Sequence, residues 1–540
     1  MRRHASLPLV GLGIALAVGG WQPQAQLGDG VPESTIPKAF GLEAATRSES
    51  EWVHPGSDGK LVYKTTPAGD RIMDFSFAGY MGGGVALPEV QTKITVKPVE
   101  GDSTAVIQEA IDKVSMLNPE NGFRGTVLLA PGEYTCSGTV AIRTSGVVLR
   151  GSGSGAGGST IKMVGGRHVA ISVGGGRMSR AAGGESDATR TSIADAYVPS
   201  GATTFTVADA SGFAVGGTIS IRRPVTAAWV HFMQMDNLTR DGRPQTWIRT
   251  GTSTTAERTI AALSGNRITL DVPLSDSFDA KYLSPPGTTV ARVNPPALRS
   301  QIGVEHLCIQ APPMEVSYTQ HPYTALRING QDCWARDVQI EETMNSVSLG
   351  GRRITLERVA IHRTVPNLGA SKPAEFAPNA GQVLLDRCSS TGDNIWHVAT
   401  GAGVVGPIVL LNCTFRGNGH IEGHQRWTTG MLLDNCEIPE GGIDFKNRGA
   451  MGSGHGWGVG WAVAWNCVAK SYVVQQPPGA FNWMIGCLGP NVPTPRPFDS
   501  SPALPLGVSD SPGKPVVPRS LYLAQLAERL GPQAVKNIGY

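Results

Sequence analysis

Val383-Leu-Leu-Asp-Arg-Cys388, Val409-Leu-Leu-Asn-Cys413 and Met431-Leu-Leu-Asp-Asn-Cys436 repeat one pattern, a short apolar run that ends in cysteine. Further copies are Val304–Cys308, Val463–Cys467, Trp483–Cys487 and, more loosely, the segment that ends at Cys333. The cysteines recur every 20 to 31 residues from 388 to 487. Such periods with one strand per unit indicate a solenoid. The units are rich in Val, Ile, Leu, Asn and Gly and lack helical periodicity, so an all-β fold, a parallel β-helix, is predicted.

The repeated cysteines predict a stack of small buried side chains rather than a set of disulfides. An unpaired buried cysteine behaves as a small hydrophobic residue. An exported protein could form disulfides. However, one thiol per unit at one position favours mostly free thiols inside the coil. No Cys-x-x-Cys pattern or His/Cys cluster predicts a zinc site.

Two stretches carry the same alternation of ionisable side chains, His420-Ile-Glu422-Gly-His424-Gln-Arg426 and Gly442-Ile-Asp444-Phe-Lys446-Asn-Arg448. Every second side chain of a strand points to the same face. An offset of 22 residues predicts three stacked pairs, if the strands are parallel neighbours: Glu422/Asp444, His424/Lys446 and Arg426/Arg448. The cysteine repeat is offset by 23, so one residue must be absorbed by a turn or bulge.

This concentration of charge predicts a binding face for an anionic sugar polymer. For a uronic-acid polymer the expected reaction is β-elimination, in which Arg426 and Arg448 neutralise the carboxylate. His424 and Lys446 are candidate bases, and His420 or His455 the candidate acid. Trp427 and Trp457 are predicted to stack against sugar rings. Further candidates for binding the substrate are His397, Glu422 and Asp444.

No metal is expected at this face, although Asp393, Glu422 and Asp444 could supply ligands for calcium. Two other functions remain open. A glycoside hydrolase needs two carboxyl groups roughly 5 to 9 Å apart, which Glu422 with Asp444 or Asp393 could supply. A non-catalytic carbohydrate-binding surface protein would carry similar tryptophans but need no acid–base pair.

The opening of the domain resembles a known family. Asp102 or Ser103 precedes a predicted amphipathic helix with Val106, Ile107, Ala110 and Ile111 on one face. The stretches Gly125–Tyr134 and Val147–Gly153 follow. This order of helix, strand, Pro-Gly-x-Tyr turn and strand-Gly resembles the pectate-lyase-like, right-handed parallel β-helix superfamily. The resemblance implies a helix that caps the first coil, and it makes a polysaccharide lyase plausible. The family's calcium-dependent lyases carry aspartate clusters that have no clear equivalent here.

Composition fits a secreted β protein. The 540 residues include 69 glycines, and only 16% are charged, with a net charge of +3. Nothing in this balance indicates a nucleic-acid partner or a general membrane-surface protein. The basic start Met1–His4 and the apolar run Leu7–Gly19 predict a signal peptide over 1–25, with secretion or a periplasmic location. No membrane span is expected, and the oligomeric state is left open.

The remaining boundaries follow from local composition. Residues 26–73 are predicted to form an N-terminal arm, and 74–489 the β-helix domain. Residues about 190–295 interrupt the repeats with alternating strands and predict an inserted small β module that could flank the cleft. Residues 490–540 are predicted to be a Pro-rich linker and a short C-terminal helix with Leu523, Leu526 and Leu530 on one side.

Overall fold

The computed structural model describes residues 48–175, 189–294, 298–315, 321–367 and 372–540. Within these ranges the chain is mostly β, with few and short helices. The predicted signal peptide and the first part of the predicted N-terminal arm lie outside the described residues. No helix in the described ranges is long and apolar enough to cross a membrane.

The elements before the insertion are mainly short strands, with one capping helix and a 3₁₀ turn at Tyr80–Gly82. They are β1 Ser48–Glu49, β2 Val53–Pro55, β3 Leu61–Tyr63, β4 Thr92–Val96, α1 Thr104–Ser115, β5 Gly125–Leu129, β6 Gly132–Cys136, β7 Val140–Ile142, β8 Val147–Arg150, β9 Ser159–Met163 and β10 Val169–Gly174.

The insertion contains its own strands and two short helices. They are β11 Thr191–Ser192, β12 Tyr197–Val198, β13 Thr204–Thr206, β14 Thr218–Pro224, α2 Ala227–Phe232, β15 Thr239–Arg240, β16 Arg243–Pro244, β17 Ser253–Ser264, β18 Arg267–Leu270, β19 Phe278–Asp279, α3 Ala280–Leu283 and β20 Thr289–Arg292.

The repeats then resume and the chain ends in two helices. These elements are β21 Gly303–Gln310, β22 Thr324–Glu341, β23 Val347–His362, β24 Ala374–Pro378, β25 Gly381–Asp386, β26 Ser389–Thr391, β27 Trp396–Ala399, β28 Val405–Leu411, β29 Thr414–Arg416, β30 His420–Glu422, β31 Thr428–Asp434, β32 Glu437–Phe445, β33 Val459–Gly460, β34 Ala462–Trp465, β35 Val468–Val474, β36 Asn482–Ile485, β37 Val508–Asp510, β38 Val516–Val517, α4 Leu521–Leu530 and α5 Pro532–Asn537.

Strands of successive repeats pair in parallel and form one 24-stranded sheet within the described chain. One ladder passes through the cysteine repeats, where Leu385 pairs with Leu410, Leu410 with Leu433 and Leu433 with Ala464. The ladder passes directly from the strands before the insertion to β21, which pairs with β8 and β9. The pairing of repeat with repeat is therefore as the cysteine pattern predicts.

The repeated cysteines are free thiols, as predicted, and all but the partly exposed Cys308 are buried. Their Sγ atoms donate to main-chain carbonyls of the preceding repeat. Cys413 contacts the carbonyl oxygen of Leu385 at 3.3 Å, and Cys436 contacts that of Leu410 at 3.4 Å. The buried thiols from Cys388 to Cys487 thus pack in the apolar core and donate to the adjacent strand.

The predicted one-residue difference between the two repeats is also present. Thr414 pairs with Glu437, an offset of 23, whereas His420 pairs with Gly442, an offset of 22. The turn between Thr414 and His420 therefore holds one residue more than its counterpart in the next repeat. That turn keeps the charged side chains of both repeats on the same face.

The insertion forms an antiparallel six-stranded sheet in the order β11-β20-β14-β17-β18-β13. Its aromatic stretch packs against the loops that follow β30 and β32. Trp247 stacks on Trp229 with ring centroids 4.9 Å apart and meets Trp427 edge-on at 6.1 Å. The module therefore covers one side of the predicted site.

Helix α1 has the predicted position, with Asp102 Oδ1 accepting a hydrogen bond from the backbone N–H of Thr104 at 2.9 Å. Its buried face consists of Ile107, Ala110, Ile111 and Val114. The assignment of Val106 to that face was wrong, because its side chain is 37% exposed. Residues 48–73, part of the predicted arm, pack on the domain through the buried Trp52 and Val53.

Helix α4 packs on the sheet through part of the predicted face, with Leu526 buried and Leu523 against the core. Its buried residues are Leu521, Tyr522, Gln525 and Leu526, whereas Leu530 is half exposed. Asp434 of β31 fixes the start of the helix by accepting hydrogen bonds from Ser520 Oγ at 2.7 Å and from the Tyr522 backbone N–H at 2.8 Å.

Candidate functional site

The paired acidic residues lie on the outward side of two neighbouring strands. Ile421 of β30 and Ile443 of β32 point into the apolar core, so the adjacent side chains point outward. Glu422 pairs with Asp444 in parallel register. Both side chains are only 2% exposed, because basic side chains close over them. We call the set His420, Glu422, His424, Asp444, Lys446 and Arg448 the charged face.

Asp444 is held between a histidine and a lysine. Its Oδ2 lies 2.9 Å from His420 Nδ1 and accepts a hydrogen bond from Lys446 Nζ at 2.6 Å. Burial alone would raise the pKa of Asp444, but Lys446 and His420 outweigh it and lower the pKa to about 2. Asp444 is therefore ionised at neutral pH. Its Oδ1 has no hydrogen-bond partner within the described structure.

Glu422 forms a second carboxylate–imidazole pair. It accepts a hydrogen bond from His424 Nδ1 and lies 3.3 Å from Arg448 Nη1. With the proton of His424 on Nδ1 for this hydrogen bond, the lone pair of the ring lies on Nε2. Arg448 Nη1 also lies within 3.0 Å of both ring nitrogens of His424. The arginine is 4% exposed, and burial lowers its pKa.

His455 joins the charged face from the glycine-rich loop after β32. Its Nδ1 accepts a hydrogen bond from Arg448 Nη1 at 2.8 Å, which leaves the ring proton on Nε2. Burial lowers the pKa of His455 to about 3, and Arg448 and His424 add to the effect. The loop can approach so closely because Gly458 lies against the carbonyl of Gly423, where a Cβ atom would collide.

Two residues that the sequence reasoning missed complete the site. The half-buried Trp396 meets the His424 ring edge-on at 4.4 Å, and the Arg448 guanidinium lies 5.4 Å from its centroid. Lys372 Nζ lies 6.0 Å from the same ring. Burial lowers the pKa of Lys372, while Glu422 opposes that shift. Trp396 pairs with His420 in the parallel ladder, which is the signal that could have found it.

The predicted pairing of Arg426 with Arg448 was wrong. Strand β30 ends at Glu422, and Arg426 has a positive φ of 53°, so the alternation does not continue. The Arg426 guanidinium instead donates to the Trp247 carbonyl at 2.7 Å and to Ser453 Oγ at 2.7 Å. Arg426 thus belongs to the contact with the insertion and not to the charged face.

The predicted sugar-stacking role of Trp427 and Trp457 was also wrong. Both side chains are buried against the insertion. Trp427 Nε1 donates to Asp276 at 2.9 Å, and Trp457 Nε1 donates to the Met233 carbonyl at 3.1 Å. They hold the insertion on the sheet and have no face left for a ligand.

His397 is fully buried rather than part of a binding face. Its Nδ1 lies 2.7 Å from Ser390 Oγ, and burial lowers its pKa to about 3. It packs as a neutral ring beside Phe415. No group of three or more His, Cys, Asp or Glu side chains in the described parts of the chain is placed to hold a metal ion.

The arrangement has the parts needed for proton transfer next to an anion. Lys372, Lys446 and Arg448 face two carboxylates, so the site carries more positive than negative charge. His424 offers a lone pair that Glu422 orients, and His420 is one third exposed, more than His424. A carboxylate that orients an imidazole is a recurring arrangement for a general base.

No family model matches the chain, and no curated protein matches it. Its structural neighbours are phage tailspikes and glycan-degrading enzymes. The tailspike protein gp49 from Pseudomonas phage LKA1 is 14% identical, with a TM-score of 0.38 over 71% of this chain and 56% of that one. The chain thus matches little more than half the length of gp49.

Two further neighbours are more distant. The Gp54 tailspike of Acinetobacter baumannii bacteriophage AP22, solved with an A. baumannii capsular saccharide, is 10% identical over 76% of this chain and 73% of that one, with a TM-score of 0.26. The catalytic unit of an α-1,3-glucanase from Streptomyces thermodiastaticus is 12% identical over 79% and 69%, with a TM-score of 0.20. All these TM-scores are below 0.5.

Proposed function

We propose that the protein is a polysaccharide lyase that cleaves a uronic-acid-containing polymer by β-elimination at the charged face. The observation that carries the proposal is the doubled carboxylate–imidazole arrangement, Glu422 with His424 and Asp444 with His420. These pairs lie beside three cations, which would attract an anionic sugar and stabilise negative charge as it develops.

His424 is the proposed base. It would take the proton from the carbon next to the uronate carboxyl group, and the electron pair would form the carbon–carbon double bond as the glycosidic carbon–oxygen bond breaks. Glu422 holds the His424 tautomer whose lone pair is on Nε2, and the substrate would have to displace the contact of Arg448 Nη1 with that nitrogen, 3.0 Å away. Lys446 is less suited to be the base, because its ammonium group is paired with the ionised Asp444. We assign Lys446 the role of neutralising the substrate carboxylate, together with Lys372.

His420 is the proposed acid that returns a proton to the departing glycosidic oxygen. Its ring is one third exposed and therefore accessible to a polymer. His455 fits a different role, because a neutral ring whose Nδ1 accepts from Arg448 can donate a hydrogen bond from Nε2 to a substrate oxygen. Arg448 is buried and acts on the substrate through His424 and His455 rather than directly.

The carboxylates favour elimination over hydrolysis. A glycoside hydrolase needs one carboxyl group that is protonated and can reach the glycosidic oxygen. The pKa of Asp444 is lowered to about 2, so it holds no proton at neutral pH. Both Asp444 and Glu422 are covered by basic side chains. Their placement supports a role in orienting the histidines.

We further propose that the parallel ladders wind as a right-handed β-helix, exported by a leader over residues 1–25. Parallel strands linked by crossover connections are right-handed in about 98% of cases. The protein would then meet its polysaccharide in the periplasm or outside the cell.

The decisive experiment is a panel of acidic polysaccharides incubated with the purified protein. We expect products with an unsaturated, ultraviolet-absorbing end from at least one uronate polymer. The activity should persist in a chelator, because Lys372, Lys446 and Arg448 supply the positive charge. Saturated reducing ends from an active preparation would contradict elimination and favour a hydrolase.

A matched pair of variants tests the assignment of the base. His424→Ala should abolish formation of unsaturated products while the protein stays folded. His362→Ala removes an exposed histidine elsewhere and should leave activity unchanged. If both variants retain activity, His424 is not the base. If the wild type binds polysaccharide without any cleavage, the protein is a binder and not an enzyme.

A further inference from the structure

A large groove lies between the inserted module and the turns of the parallel sheet. It has a volume of about 1630 Å³. One wall is formed by β14, β17 and the segment 244–252, and the other by turns near Gly351, Gly381 and Gly403. Sites for small ligands usually have volumes of roughly 300–1,000 Å³. The groove is therefore large enough for an extended ligand of several units.

The charge along this groove is strongly one-sided. It is lined by six arginines, Arg190, Arg222, Arg249, Arg258, Arg352 and Arg426, and by a single carboxylate, Glu257. The chain as a whole has a net charge of only +3. The arginines are therefore concentrated here, and a cleft lined mainly by one sign of charge focuses its field on an incoming ligand.

Neutral acceptors hold several of these arginines in place. Arg352 Nε donates to Gln331 Oε1 at 2.7 Å, and Arg426 donates to the Trp247 carbonyl at 2.7 Å. Arg258 is buried and donates to the carbonyls of Val272 and Gly406, which joins the insertion to the sheet. Within the described residues, Arg249, Arg352 and Arg426 form no ion pair with a carboxylate. The charges of Arg249 and Arg426 are thus left for a ligand, whereas Glu257, Asp332 and Asp271 partly offset that of Arg352.

The groove meets the candidate site at one end. Arg426 and Ser453 line it, and the backbone N–H of Arg426 donates to the carbonyl of His455 at 3.1 Å. The segment from Gly449 to Gly456 thus carries both the end of the groove and His455 of the site. A polymer lying in the groove would be directed toward the charged face.

We infer that this groove, here called the arginine groove, binds an extended segment of an anionic polysaccharide beyond the sugar units at the charged face. The inference deepens the proposed function and rests on it for the reaction, but the binding can be measured without turnover. Besides its arginines, the arginine groove presents hydroxyl and amide groups of Thr252, Thr254, Asn379 and Gln382, which suit sugar hydroxyls.

A nucleic acid fits this surface less well. Single-stranded nucleic acids are usually bound by aromatic side chains on which bases stack. The one tryptophan among the lining residues, Trp247, is buried and packs on Trp229 and Trp427. An oligonucleotide is therefore included in the test as the competing class.

The test compares two double variants. The groove variant carries Arg249→Gln and Arg352→Gln, and the control carries Arg143→Gln and Arg167→Gln. The control removes the same charge at two exposed arginines outside the arginine groove. Binding is measured by calorimetry at low and moderate salt with polygalacturonate, dextran sulfate, neutral dextran and a single-stranded oligonucleotide. We expect roughly tenfold weaker binding of an anionic polysaccharide by the groove variant alone. Whichever of polygalacturonate and dextran sulfate binds more tightly identifies carboxylate or sulfate as the preferred anion.

Each of the other possible outcomes also supports or overturns a part of the inference. Equal affinities of the groove variant and the control would overturn the inference, as would a wild type that binds no anionic polysaccharide. Tighter binding of the oligonucleotide, weakened by the groove variant, would overturn the assignment to polysaccharide. Binding that depends on the arginine groove without unsaturated products would support the inference and reject the lyase function. A short uronate oligomer, too small to reach the groove, should be cleaved equally by both variants.

Discussion

Glu422 and Asp444 occupy paired positions on adjacent parallel strands, 22 residues apart, and basic side chains cover both carboxylates. Two like charges side by side on a sheet are unfavourable unless they are compensated. Each carboxylate here has its own histidine, and each has a second cation, Arg448 or Lys446. The pair is therefore a compensated network, and removing one member leaves buried charge behind.

The first prediction concerns Glu422→Gln. The substitution removes the negative charge next to Arg448, whose side chain is 4% exposed. Breaking a buried ion pair by removing one partner typically destabilises a protein by about 3–5 kcal/mol. We expect the variant to lose about 3 kcal/mol of stability, near the lower end of this range. The measurement is the free energy of unfolding in urea.

Glu51→Gln is the control for this first prediction. Glu51 pairs with Lys64 on the surface, and both side chains are well exposed. Exposed pairs contribute about 0–1 kcal/mol. Equal small losses for the two variants would show that Glu422 does not stabilise Arg448.

The second prediction is a pH dependence that originates at Asp434. Burial raises the pKa of Asp434 to about 7. The folded protein therefore keeps a proton that the unfolded chain loses near pH 4, so stability falls as the pH rises from about 4 to 7. The slope from this group approaches about 1.4 kcal/mol per pH unit. Asp434→Asn cannot ionise and should lack this component.

The measurement is the free energy of unfolding at several pH values for the wild type and for Asp434→Asn. Between pH 4 and 7 the free energy of unfolding of Asp434→Asn should rise relative to that of the wild type. Asp58→Asn, at an exposed carboxyl group, is the control and should follow the wild type. Parallel curves for wild type and Asp434→Asn would mean that Asp434 is ionised in the folded protein throughout this range.

The third prediction concerns thiol reactivity. Burial raises the pKa of Cys487, and seven of the eight cysteines are inaccessible. Because a reagent in solution cannot reach these seven side chains, they should not react in the folded state. Ellman's reagent should modify Cys308 alone in the native protein and all eight cysteines after unfolding. Cys308→Ser should abolish the native reaction, and rapid modification of further thiols would contradict the buried stack.

The sequence predicts the parallel pairing well, because two independent repeats constrain it. The cysteine spacing sets which strands are neighbours, and the alternation around Glu422 and Asp444 sets which side chains share a face. The same logic fails at Arg426, because the strand ends four residues earlier. The alternation of side chains predicts which residues share a face only within the strand itself.

The aromatic residues could not be assigned from sequence. Trp427 and Trp457 are covered by Trp247 and Met233, which lie about two hundred residues away in the insertion. Nothing in the local sequence indicates that contact. The sequence predicts His397 as a site residue and not its neighbour Trp396. An irregularity between Trp396 and Val398 turns the tryptophan toward the site and the histidine inward.

The last prediction separates the two kinds of tryptophan. Trp396 is partly exposed and contacts His424 and Arg448, so Trp396→Ala should weaken polysaccharide binding roughly tenfold, a loss of about 1.4 kcal/mol, with little change in melting temperature. Trp457 is buried, and Trp457→Ala should cost about 3–5 kcal/mol of stability. Calorimetric binding and thermal unfolding of both variants test this contrast. If Trp457→Ala instead lost binding while keeping its melting temperature, Trp457 would face the ligand and the site would have to be redrawn around it.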